Sequence, residues 1–127
     1  MSVYSVHSPR GQVCQQCHFS NSLFFRMKGL LGRTSLVPLE GLWLKPCNSI
    51  HMFFMRFSID ALFLDKQQCI VKVYHSLPPW AISSLIFRAE SVLELAAGRA
   101  NELGLQIGDQ LVFTDTSDSL LEKSSHD

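Results

Sequence analysis

The chain has no surplus of either charge. Eleven Lys and Arg stand against eleven Asp and Glu in 127 residues. There is no basic excess to follow a phosphate backbone, so no nucleic-acid partner is expected. Long hydrophobic runs are missing too. The most apolar region, SIHMFFMRFSIDALFL, is cut by Arg56 and Asp60, and no stretch approaches the ~20 apolar residues of a spanning helix. The opening MSVYSVHSPRGQVC has no basic start followed by an apolar run, so no signal peptide is expected. These absences predict a cytoplasmic chain without a membrane partner. In that compartment the four cysteines are expected as free thiols or ligands rather than disulfides. No repeat and no second composition zone are visible, which fits one domain.

What is present is a series of short apolar segments. Residues 1–11 are short, polar and aperiodic and are expected to form a flexible N-terminal arm. A single β-rich globular domain is expected over 12–114, followed by a flexible Ser- and Asp-rich tail over 115–127. From Val13 the alternation of Val13, Gln15, Cys17 and Phe19 predicts a strand. Leu23, Phe24, Met27, Leu30 and Leu31 form one helical stripe behind a Ser20 or Asn21 cap, with Gly32 placed to end it. GLWL, SIHMFFMRF, IDALFL, CIVKVYH, SVLEL and DQLVF read as further strands, with DKQQ as a turn and SLPPW as a rigid loop. AISSLIFRAE reads as an irregular apolar loop or a poor strand, and AGRANELG as a short helix closed by Gly104. The expected class is therefore α+β and β-rich, a compact barrel-like or sandwich-like sheet with two short helices.

QVCQQCHF spells C-x-x-C-H, the attachment signature of a c-type haem. Haem attachment is normally made outside the cytoplasm, and on a strand Cys14 and Cys17 would face opposite sides, so no haem is expected. The same divergence weakens a redox dithiol, which usually sits at a helix N-terminus. Zinc is a lesser alternative: Cys14, Cys17, Cys47 and His51 offer suitable ligand types, but turn glycines are lacking. No cofactor is predicted.

RMKGLLGR, GLWL, PCNSIHMFFMRFSIDALFLD and VLELAAGRANELGLQIGDQL occur in an order and spacing that resembles the domain-of-unknown-function 192 family, from about Gly11 to Val112. The matching positions are Arg26, Gly29, Leu30, Gly32, Arg33 and Gly41, then Cys47, His51, Phe53, Met55 and Asp60, and finally Glu94, Gly98, Gly108 and Asp109. Ser58 stands where the related motif usually has proline, and Met52 where threonine is commoner. The C-x-x-C-H lies outside the family pattern. The resemblance implies a compact β-rich domain with small helices and carries over no established activity.

The residues that could carry chemistry are polar groups set in apolar strands. Asp60 shares a strand face with Leu62 and Leu64, and Glu94 with Val92. A carboxylate on a buried face needs a partner, and Arg26, Arg33, His51 and Arg56 are candidates. His51, Arg56, Asp60 and Glu94, with Arg26 or Arg33, are expected to line a small cleft. Its arginines would favour an anionic small molecule or a carboxylate-bearing peptide, which a guanidinium pairs bidentately. One alternative is a hydrolase-like enzyme in which Asp60 orients His51 and His51 activates Cys47 or a water. Another is a purely structural domain. Trp80, after Pro78 and Pro79, is expected to present its indole at the surface.

Overall fold

The computed structural model describes residues 2–21 and 33–116. Its strands are β1 (Val3–Ser8), β2 (Gly11–Ser20), β3 (Glu40–Leu44), β4 (Ile59–Leu64), β5 (Ile70–Leu77), β6 (Ser91–Ala96) and β7 (Val112–Asp115), with helix α1 (Arg99–Leu103) between the last two. They form a seven-stranded sheet in the order β5-β4-β6-β3-β2-β1-β7. Neighbours run antiparallel except β2 and β3, which are parallel. The β-rich α+β expectation holds in this coarse sense. The strand order does not close into a barrel, and α1 is the one helix among the described residues. The other expected helix, from Leu23 to Leu31, and Arg26 with it, lies outside the described residues. The two edges nevertheless touch: Ile70 N–H donates to Asp109 O at 2.9 Å, Gly108 N–H to Ile70 O at 2.8 Å, and Leu111 N–H to Gln68 O at 2.9 Å.

Residues 3–8, expected within the arm, are a strand. Their polarity hides it, because β1 is specified by tertiary pairing with β2 on one side and β7 on the other. The signal that could have found it is SPRG. Pro9 and Arg10 make a two-residue turn, Gly11 takes φ +127°, and Ser8 Oγ accepts Arg10 N–H at 3.0 Å.

Both faces of the sheet are buried, so β4 and β6 read as near-continuous apolar runs. One face packs Val6, Cys14, Cys17, Leu62, Leu64, Leu93 and Leu95 beneath Ala100 and Leu105 of the α1 region. The other packs Leu42, Leu44, Ile59, Ala61, Phe63 and Val92 beneath Cys47, Ile50, Met52 and Ala89, which come from two long loops. Each fully buried Phe or Leu contributes about 1.5–3 kcal/mol, so loops with no ladder of their own are held by what they cover.

SIHMFFMRF is not a strand. Its backbone turns at Phe53–Phe54, where Phe54 takes φ +65° without a glycine to announce it, and only His51 forms an isolated bridge, to Ile82. The apolar alternation there reflects side chains gripping the sheet from outside rather than pairing within it.

Candidate functional site

Two loops, 45–58 and 78–90, lie side by side across one face. Met52 N–H donates to Ala81 O at 2.8 Å, Trp80 N–H to Met52 O at 2.7 Å, Ser83 N–H to Ile50 O at 2.9 Å and Ile86 N–H to Asn48 O at 2.9 Å. Buried Ser83 Oγ accepts Ile50 N–H at 2.8 Å. Ser84 N–H reaches the Tyr74 phenol oxygen at 2.9 Å, and that bond holds the phenol's pKa below its ordinary value. Irregular backbone is thus paired almost as a ladder would pair it.

Between the loops lies an open cavity of about 400 Å³ bounded by Pro46, Cys47, Asn48, His51, Phe53 and Ile82, among others. A second, of about 350 Å³, shares Pro46, Cys47 and Asn48 and extends to Lys45, Ala89 and Glu90. The shared residues set the two cavities next to each other along a groove between the loops. His51 stacks on Phe53 with centroids 4.6 Å apart, and its Nδ1 accepts Phe53 N–H at 3.4 Å. Cys47 Sγ donates to Ser49 O at 3.1 Å. Beyond Phe53 stand Trp80, at 6.0 Å, and Phe54, whose ring is 4.8 Å from the indole. Phe54 and Trp80 hold φ at +65° and +70° while remaining 64% and 58% exposed. A bulky side chain in the left-handed region costs about 1–3 kcal/mol, so these rings are presented to solvent against a backbone cost.

The expected cluster is divided between the two faces of the sheet. Asp60 is fully buried on the face of Leu62 and Leu64, whereas Glu94 shares the opposite face with Val92. Asp60 Oδ1 accepts Ser76 N–H at 2.8 Å, and Oδ2 accepts Ala100 N–H at 2.9 Å. The first donor is freed by the β4–β5 register shift beside it. The second opens α1, whose Gly98 cap has no side chain to offer. Asp60 is therefore a remote helix cap and bulge filler, on the sheet face opposite the one that the His51 loop covers. Arg33 pairs with Glu40 at 2.8 Å, and its guanidinium lowers the Glu40 pKa. Arg56 is exposed, and none of the ion pairs among the described residues includes it.

The zinc set is not brought together. Cys14 and Cys17 lie in the inner core, and Cys47 packs on the other face. Among the described residues no group of three or more His, Cys, Asp and Glu could hold a metal. The parity argument for Cys14 and Cys17 does fail: both are fully buried. Tyr4 pairs with Cys17 and Val6 with Cys14, so Gln15 and Gln16 bulge opposite Ser5 and turn both sulfurs inward. A hydrogen bond to Cys14, together with burial, pushes the Cys17 thiol's pKa up, away from the thiolate that redox or haem chemistry requires. Sequence reasoning also missed Arg99. Its buried guanidinium donates to Val13 O at 3.1 Å, Gln12 O at 3.0 Å and Glu102 Oε1 at 3.1 Å, lashing α1 to β2. RANEL offered an ordinary helix surface and no sign of this.

Fold and groove define a small β-rich domain that carries its surface features on loops laid over one sheet face. The chain belongs to the DUF192 family (Uncharacterized ACR, COG1430), whose model matches residues 6–113. It is 36% identical over 112 residues to a UPF0127 protein of Thermococcus sibiricus, covering 84% of this chain and 71% of that one. A UPF0127 protein of Pyrococcus abyssi is 38% identical over 63 residues, 50% of this chain and 53% of that relative's length, so the match spans about half of it. Among solved structures, a protein of unknown function from Novosphingobium aromaticivorans superposes with a TM-score of 0.76 at 21% identity, over 87% of this chain and 83% of that one. That likeness shows the fold alone. Among the described residues, no helix is long and apolar enough to cross a membrane.

Proposed function

We propose that the chain is a binding module for a small anionic ligand with a flat apolar body, held in the groove between the two loops. The observation that carries this reading is the stacked His51–Phe53 wall beside an open cavity of about 400 Å³. Stacking on such a wall selects a planar or ring-shaped body. Lys45, which lines the adjoining cavity with Glu90, supplies positive charge, and exposed Arg56 stands on the His51 loop outside the lining, while Arg33 is engaged by Glu40. We also propose the cytoplasm as its compartment, a reading supported by four cysteines that form no disulfide. Thermal-shift titration with benzoate and indole-3-acetate tests the proposal. A ligand at 100 Kd adds about 2.7 kcal/mol, a rise of several degrees, and His51→Ala and Lys45→Gln should abolish or weaken it. A melting temperature unmoved by either probe, or a rise that survives His51→Ala, would sink the idea.

A second reading, thiol-based hydrolysis, is supported by Cys47 and His51 lining the same cavity. Here the orienting group for His51 is not Asp60. Turnover of a p-nitrophenyl ester that vanishes in Cys47→Ala would favour it, and turnover unchanged in that variant would end it.

A further inference from the structure

The two loops carry mostly positive charge. From Lys45 to Ser58 and from Pro78 to Glu90 the chain contains Lys45, Arg56 and Arg88 against one carboxylate, Glu90. Glu90 lies 3.7 Å from Lys66. On the same loops large apolar side chains stand out: Phe54, Trp80, Ile82, Leu85 and Phe87 are 51–86% exposed, with Phe87 the most so. Backbone hydrogen bonds knit the two loops side by side, and Phe54 and Trp80 meet with ring centroids 4.8 Å apart, so the exposed tips stand on one joined pair of loops. The face extends past the groove, since Leu85, Phe87 and Arg88 do not line it.

We propose that this face docks on an anionic lipid surface. The aromatic and aliphatic tips enter the boundary between headgroups and acyl chains, where Trp and Phe partition favourably. Arg56 and Arg88 meet the anionic headgroups, which attract basic side chains beside an embedded apolar patch. Charge complementarity decides against a second copy of this chain. In a twofold contact the same basic, apolar patch meets itself, so Arg56 and Arg88 would lose water against a surface whose one carboxylate, Glu90, is already beside Lys66. Peripheral docking needs no spanning helix, so the sequence argument against a membrane partner does not bear on it. Docking needs no ligand in the groove, and of the exposed tips only Ile82 lines it.

Co-sedimentation with vesicles of phosphatidylcholine alone, and of phosphatidylcholine mixed with phosphatidylserine, tests this. Trp80 is the exposed one of the two tryptophans, so its emission should move to shorter wavelength on the mixed vesicles, and Trp80→Phe should remove that shift. Arg56→Gln and Arg88→Gln should each weaken binding about fivefold, and Phe87→Ser about tenfold or more. All three side chains are exposed, and unchanged melting curves will show the fold intact. Added salt should weaken binding. His51→Ala should leave vesicle binding unchanged, and Phe87→Ser should leave groove binding unchanged, which separates this inference from the groove reading. No binding, or equal binding to both vesicle types, overturns the proposal. So does a concentration-dependent dimer that Phe87→Ser dissolves, since the face would then serve self-association.

Discussion

Replacing Asp60 with asparagine keeps the shape of the side chain and changes only what it can accept. The native carboxyl takes one backbone N–H on each oxygen, from Ser76 at 2.8 Å and Ala100 at 2.9 Å, in a site with no solvent exposure. An amide retains one acceptor, and its NH₂ must then face the other N–H, donor against donor. One stranded backbone N–H costs about 1–3 kcal/mol, and the amide's own buried hydrogens add a similar amount. The expected loss is about 2–5 kcal/mol, a large part of the ~5–15 kcal/mol that holds a domain folded. Urea unfolding followed by tryptophan fluorescence measures it. With a slope of about 1–3 kcal/mol per molar, the midpoint should fall by roughly 1–3 M at unchanged slope. A variant within about 0.5 kcal/mol of the parent would refute the capping role. Loss of groove binding at unchanged stability would do so more sharply, by returning Asp60 to the site.

Arg99→Leu should cost about 2–4 kcal/mol in a thermal melt, because Val13 O and Gln12 O lose buried donors. A loss below 0.5 kcal/mol, within the range of an ordinary surface substitution, would show that the lashing of α1 is dispensable. Gly41→Ala places a Cβ 3.2 Å from Cys14 Sγ and 3.3 Å from Glu94 O, and overpacking of that kind should lower stability by about 1–3 kcal/mol in urea. Asp109 is held below its ordinary pKa by hydrogen bonds from Arg10 at 2.8 and 3.3 Å. A depressed carboxyl stabilises above its unfolded pKa, about 3.9, and that stabilisation is lost as pH falls through the lower folded value. Asp109→Asn should therefore melt earlier than the parent at neutral pH and converge with it in strong acid. A gap that persists in acid would contradict the ion-pair account.

The elements most legible in the sequence were those whose signal is local. GLWL ended at a proline, DKQQ turned, and AGRANELG closed at Gly104, which does take a left-handed φ of +68°. The parity of Asp60 and of Glu94 along their strands was readable, but their being on opposite faces was not, because it depends on how β4 and β6 pair. Bulges defeated the reasoning twice. Gln15–Gln16 turned two divergent cysteines into neighbours, and the shift near Ser76 freed the N–H that Asp60 takes. A bulge adds a residue without changing the composition around it, so a period-2 reading passes over it. SIHMFFMRF misled for a different reason: loops that cover a sheet are as apolar as the strands beneath them. For the candidate site, His51, Cys47 and the exposed Trp80 were legible as residues. The groove itself was not, since it depends on hydrogen bonds between segments some thirty residues apart.

The pairing of β1 with β7 sets Tyr4 opposite Asp115 and Val6 opposite Phe113. During synthesis the first strand therefore waits for the last. Until residues near 110 have left the ribosome, the hairpin of β1 and β2 keeps one open edge, and residues 68–70 lack the partners that join the sheet's margins. Contacts this distant in sequence slow folding and lengthen the time during which a bare strand edge can meet another nascent chain. A seam between β1 and β7 thus makes completion of the fold wait on a contact distant in sequence.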